Sequence, residues 1–212
     1  MAEKNFQARS EPGCLRLFLV RHGETEANRL RLIQGSSDGL LNAAGQAQAE
    51  RLAEHLRLVA LDQVFASDMR RATATAMPIT QAHSLALQVD PQLREWDVGE
   101  LDGMPASQYL QMIRETGRPL SAFHPPGGAT LGETRQRAEA VIRRLVEEHR
   151  GESVLICSHG DFMRMLVSAI LQIDSDAATA FHFDNASYSV FEYKDRQWKA
   201  LALNRIADQT NK

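Results

Sequence analysis

The sequence predicts a single α/β domain, and three observations carry that prediction. Two short apolar runs, residues 15–20 and 153–157, each stop abruptly at a polar cluster containing His-Gly, as buried strands do where a parallel sheet presents its carboxyl ends. Helical patterns alternate with strand-like runs along most of the chain. The 212 residues, 43% of them hydrophobic, are enough to bury one substantial core.

Taken in order, residues 1–14 show no periodicity and are expected to form a flexible tail, leaving 15–212 as the folded domain. Leu15-Arg16-Leu17-Phe18-Leu19-Val20 reads as a buried strand delivering Arg21, His22 and Gly23 at its end. After a polar loop, Asn42 can cap a helix with the apolar stripe Ala49, Leu52, Ala53, Leu56. A strand over 63–66 stops at Ser67-Asp68; a helix follows over 70–81, although Pro78 should end or kink it, and then a strand over 85–89. Residues 97–128 are rich in glycine and proline, with one short helix near 106–115, and read as an insertion or lid. Thr130-Leu131-Gly132-Glu133 has the form of a capping box, opening a helix with Ala138, Val141, Ile142 and Leu145 on one face. The run 153–157 is the clearest strand, ending in Ser158-His159-Gly160-Asp161, and residues 188–203 read as a hairpin turning at 194–196.

The charge balance, 24 Lys and Arg against 27 Asp and Glu, supplies no global field for a polyanion, so nucleic acid and membrane surfaces are not expected as partners. Two cysteines, Cys14 and Cys157, form no disulfide framework and point to a reducing, cytoplasmic setting. No apolar run approaches the roughly 18 residues of a membrane span, and the polar start does not read as a secretion signal. Nothing fixes an oligomeric state.

His22 and His159 stand apart from His55, His83, His124, His149 and His182 because each ends a buried strand, where an ionisable group is costly unless used or satisfied. A phosphate ligand would use both ends. Arg21 offers a fork of donors, His159 another N–H, and Gly23 and Gly160 let the backbone approach the anion. A neutral His22 could then attack phosphorus and form a phosphohistidine with no metal, since arginines supply the positive charge.

The stretch Leu19-Val20-Arg21-His22-Gly23-Glu24-Thr25, with Asn28 after it, resembles the opening signature of the histidine phosphatase superfamily, the phosphoglycerate mutase-like proteins. Further matches follow in order: Gln34-Gly35 with 41–46, Ser67 to Ala76, Leu93-Arg94-Glu95 with 99–103, Ser158-His159-Gly160, and 185–187 with 203–204. The resemblance spans roughly 15–205. It implies a three-layer α/β/α sandwich around a mostly parallel sheet. It also implies His22 as nucleophile, Glu95 as proton donor, a phosphate pocket of Arg21, Asn28, Arg71 and His159, and Gln34 and Gly35 on the substrate side. No cofactor or metal is implied.

Arg70 and Asp161 are the rivals to Arg71 and Glu95; the register before Ala72, and Gly160 where one branch carries its acid, favour Arg71 and Glu95. Trp96 reads equally as core or pocket wall. Ala129 stands where many relatives carry a glutamate, so substrate contacts borrowed from them do not transfer. The expected activity is metal-independent hydrolysis of a small phosphorylated metabolite, with specificity from Gln34 and a lid carrying Met104, Tyr109, Met112, Arg114, Arg118 and Phe123. Mutase-type phosphoryl transfer, a dinuclear metal hydrolase and a non-catalytic phosphate-binding module are the competing readings.

Overall fold

A computed structural model describes residues 6–207. Six strands form one sheet in the order β3-β2-β4-β1-β5-β6: β1 (Leu15–Arg21), β2 (Gln63–Ala66), β3 (Leu87–Val89), β4 (Ser153–Ser158), β5 (Ser187–Lys194) and β6 (Gln197–Ile206). The first four are parallel; β5 runs antiparallel to β1, and β6 to β5. The mostly parallel sheet expected from the sequence is borne out. The hairpin of β5 and β6 departs from parallel; Asp195 and Arg196, both at positive φ, return β6 along β5 in a two-residue turn.

Alternation along β1 sorts its side chains into two cores. Leu15, Leu17 and Leu19 join one apolar cluster with α5 (Leu131–Glu148) and α6 (Gly160–Leu171). Phe18 and Val20 face the other, with α2 (Ala43–Leu56) and α3 (Arg70–His83). This is the three-layer α/β/α sandwich. The chain therefore leaves β1 toward one face and β4 toward the other, and between two such neighbours the strand ends open into a crevice.

Local chemistry sets the element ends. Asn42 caps α2 by accepting from the Gly45 N–H, and Thr130 with Glu133 makes the expected capping box of α5. Helix α3 runs through Pro78 to His83, because Ala76, Ile79 and Thr80 are buried on either side and their packing offsets the missing hydrogen bond. Its left-handed cap at Ser84, with the Leu85 N–H returning to the Thr80 carbonyl, uses residues expected to begin β3, so the strand starts two residues later.

Two departures are larger. Residues 1–5 of the expected tail lie outside the described residues, but 6–14 are not loose: Phe6 is buried edge-on against Phe18, Arg16 lies over its ring, and Ser10 and Cys14 are buried too. An isolated aromatic with no periodicity around it gives no sequence signal, yet burying one ring stabilises on the order of 2–3 kcal/mol. The glycine-rich insertion holds α4 (Ala106–Thr116), whose Tyr109 is buried between Trp96 and Phe123, and it is tied to α7 (Ser175–Ala178) by the Ser121 N–H and hydroxyl donating to Asp176.

Candidate active site

Arg21 at the end of β1 lies level with Ser158 at the end of β4, and the His22 N–H donates to the Ser158 carbonyl at 2.9 Å. The residues that follow, His22 and His159, bring their rings to 5.2 Å between centroids. A cavity of about 170 Å³ opens here, and Arg21, His22, Asn28, Gln34, Gly35 and Glu95 line it.

The two imidazoles are held in opposite tautomers. His22 Nδ1 lies 2.7 Å from the Gly23 carbonyl, which can only accept, so Nδ1 carries the proton and Nε2 keeps its lone pair. His159 Nδ1 lies 3.0 Å from Arg71 Nε, which can only donate, so here the proton sits on Nε2. Burial first, then the charges of Arg21 and Arg71, hold the His22 pKa well below the usual histidine range. Burial, Arg71 and His22 do the same for His159. Both rings are neutral.

Arg71 is fully buried, whereas its rival Arg70 is exposed. Its guanidinium donates to His159, to the Ser37 carbonyl at 2.6 Å and to the Gly35 carbonyl at 2.9 Å, which offsets the cost of burying a charge. Arg21 donates to the Phe183 carbonyl at 2.7 Å. Its Nε, and His159 Nε2, are buried without a hydrogen-bond partner among the described residues. Two unmade hydrogen bonds on neighbouring cationic and N–H groups suit the binding of an anion.

Glu95 is anchored at the start of α6. Its Oε1 accepts from the Trp96 and Phe162 N–H groups at 2.9 and 2.8 Å, and Oε2 from the Asp161 N–H at 3.2 Å. Burial, followed by the Asp161 carboxylate, raises its pKa against the pull of these donors and of Arg71. The rival acid Asp161 is committed to an ion pair with Arg164.

Asn28 owes its place to a capping box that the sequence reading missed. Thr25 caps α1 (Glu26–Arg29), and the Asn28 carboxamide oxygen accepts from the Thr25 N–H and from Asn185 Nδ2, leaving its amide N–H groups for the cavity it lines. Gln34 accepts from the Thr25 hydroxyl at 2.8 Å. Trp96 is both core and wall: it is buried, lines the cavity, and donates through Nε1 to the carbonyl of Ala129.

Several expectations need correction. Gly23 makes room for protein rather than for the anion, since a Cβ there would meet the Gly45 carbonyl at 2.6 Å, whereas Gly160 does line the cavity, 3.5 Å from Arg21 Nε at the place a Cβ would take. None of the six lid residues lines the cavity; Met104, Tyr109, Met112 and Phe123 pack on the core, and Arg114 and Arg118 are exposed. The outer wall is instead Leu32, Ile33, Val98, Arg164, His182 and Phe183. His182, read as an ordinary histidine, stands on this wall hydrogen-bonded to Asp184.

Two positioning residues also escaped the sequence reading. Thr75 accepts from the Gly23 N–H and donates to the Arg71 carbonyl, joining the loop after His22 to the helix that carries Arg71. Its i+4 spacing from Arg71 was the available signal. Arg137 lies over the Phe162 ring and donates to the backbone carbonyls of Gln92, Arg94 and Glu95; nothing local marks it.

Fold and site together define an α/β protein that gathers two histidines, arginines and a carboxyl of raised pKa around one cavity at the strand ends. The chain matches the histidine phosphatase superfamily (branch 1) over residues 17–206 and belongs to it. It is 34% identical over 190 residues to the "Probable phosphoglycerate mutase GpmB" of Salmonella choleraesuis, covering 88% of each chain. Among solved structures it resembles the alpha-ribazole phosphatase of Shigella flexneri (TM-score 0.82, 27% identity, 93% of this chain and 100% of that one). It also resembles the mycobacterial glucosyl-3-phosphoglycerate phosphatase in complex with VO3 (TM-score 0.80, 27% identity, 93% and 99%). The phosphatase and mutase names of these relatives support an enzyme. Among the described residues no helix is long and apolar enough to cross a membrane, and no group of three or more His, Cys, Asp or Glu is placed to hold a metal ion.

Proposed function

We propose that the chain hydrolyses a small phosphorylated metabolite in two steps through a phosphohistidine on His22. The observation that carries this reading is the pair of buried, unpartnered donors, Arg21 Nε and His159 Nε2, beside a neutral imidazole whose Nε2 lone pair is free. In the first step His22 Nε2 forms a bond to phosphorus as the ester P–O bond breaks, and Glu95 gives its proton to the leaving oxygen. Oε1 already accepts two N–H groups and Oε2 only one long one, so Oε2 is the oxygen that carries the proton. In the second step water attacks phosphorus, the Glu95 carboxylate takes its proton, and the P–N bond breaks to release phosphate.

Arg21, Arg71, His159 and Asn28 bind the phosphoryl oxygens throughout, and their fixed positive charge does the work a metal ion would do elsewhere. A solved relative binds VO3, which supports a phosphate-shaped site. Transfer to a second hydroxyl instead of water is the second reading, favoured by the mutase named among the relatives.

The test is a quench of turnover of a labelled phosphomonoester. An acid-labile, alkali-stable phosphoenzyme should form in the presence of a chelator and vanish in His22→Ala. A label that survives that substitution overturns the assignment. Release of inorganic phosphate without interconversion of 2- and 3-phosphoglycerate separates hydrolysis from transfer.

A further inference from the structure

The outer wall of the same cavity also has a charge pattern, and its reading rests on the proposed phosphate site. On the proposed mechanism the phosphoryl group engages Arg21 and Arg71, His22 is neutral and Glu95 carries its proton; His182 of the same wall is held by Asp184, and the charges left to meet the rest of the ester are those of Asp161 and Arg164. These neutralise each other through the bond between Asp161 Oδ1 and Arg164 Nη1. Arg164 Nε is spent on the Phe181 carbonyl at 2.8 Å. Asp161 Oδ2 and Arg164 Nη2 have no hydrogen-bond partner among the described residues. An open acceptor and an open donor thus stand side by side on the wall of the cavity, with Leu32, Ile33 and Val98 giving it an apolar part.

We infer that Asp161 and Arg164 form a subsite for a neutral hydroxylated leaving group, and that the substrate class is a polyol or sugar phosphate rather than a phosphorylated carboxylic acid. A hydroxyl both donates and accepts, so it satisfies the carboxylate oxygen and the guanidinium together, while C–H groups cover the apolar residues. A carboxylate finds no unpaired cation here and meets the negative Asp161, an arrangement that discriminates by repulsion as much as by attraction.

Glycerol 3-phosphate and 3-phosphoglycerate differ only in CH₂OH against COO⁻ and leave from the same kind of oxygen, so the ratio of their kcat/KM values isolates this subsite from the chemistry. The wild-type ratio should favour glycerol 3-phosphate by at least about tenfold. Asp161→Asn leaves the guanidinium uncompensated and should shift the ratio toward 3-phosphoglycerate by about tenfold; Arg164→Gln leaves the carboxylate uncompensated and should shift it the opposite way. Structural damage would lower both substrates together and leave the ratio alone.

The inference is overturned if the wild type prefers 3-phosphoglycerate, or if the two variants move the ratio in one direction or not at all. Hydrolysis of p-nitrophenyl phosphate by the wild type keeps the two readings apart. Its presence with no polyol preference removes only the subsite, and its absence removes the phosphatase itself.

Discussion

The ends of β1 and β4 make the most instructive comparison in the molecule. Each strand is apolar, each stops at His-Gly, and the two lie adjacent in parallel, yet the imidazoles are prepared for opposite tasks. His22 donates its Nδ1 proton to the carbonyl of the next residue and keeps a free nitrogen to attack with. His159 accepts a hydrogen bond from Arg71 on Nδ1 and so presents its Nε2–H to bind with. On the proposed mechanism, strand ends of the same pattern become nucleophile and anion donor according to what meets Nδ1. The partner that decides is local in one case and 88 residues away in the other.

Breaking the two ends separately gives the largest effects. His22→Ala should lower kcat by more than about 10⁴-fold and abolish the phosphoenzyme, because the atom that bonds phosphorus is gone. His159→Ala should cost about 10²–10³, the scale of one lost anion donor, and leave some phosphoenzyme detectable by alkaline quench. Equal losses from the two would erase the distinction.

Arg71→Ala should cost at least as much as His159→Ala, since it removes a phosphate contact and frees the His159 tautomer. The double variant should fall well short of the product of the single losses, as coupled neighbours do. Full additivity, measured as kcat/KM in a double-mutant cycle, would show that Arg71 does not set the state of His159.

Glu95→Gln should slow alkyl esters by about 10²–10⁴ and aryl esters far less, because only the poor leaving group needs the proton. Its pH profile sharpens the point. On the proposed mechanism turnover requires neutral His22, so it should rise with pH through a pKa held well below the usual histidine range; it requires protonated Glu95, so it should fall as pH rises through a pKa held above the usual carboxyl range. The wild-type optimum should therefore lie on the acid side, and Glu95→Gln should flatten the alkaline limb. An unchanged alkaline limb would remove Glu95 as the donor.

The smallest effect on activity is expected far from the strand ends. Phe6→Ala should cost about 3 kcal/mol of stability in urea unfolding while kcat/KM stays near wild type. A large loss of turnover would show that the N-terminal segment steadies β1 enough to govern the site.

Much of this molecule is legible in order along the chain. The strands that end in His22 and His159, the Asn42 cap and the Thr130 capping box are local patterns of burial and hydrogen bonding, and they stand where the sequence places them. Glu95 and Arg71 are found through motif register, and the structure sets both beside the histidines. Residues whose placement depends on distant partners were not legible. Phe6 is buried only because Phe18 is there to meet it, and Arg137 reaches the Glu95 backbone from another helix.

The same division runs through the site. Sequence alone determined the fold class, the strand ends and the identities of the groups that could handle phosphate, since these follow from periodicity and residue chemistry. Only the tertiary structure decided which nitrogen of each histidine is free, why the Glu95 pKa lies above the usual carboxyl range, and that Asp161, Arg164 and His182 rather than the six expected lid residues wall the pocket. Hydrogen-bond partners, burial and field arise from residues brought together across the sheet, and no local run of sequence contains them.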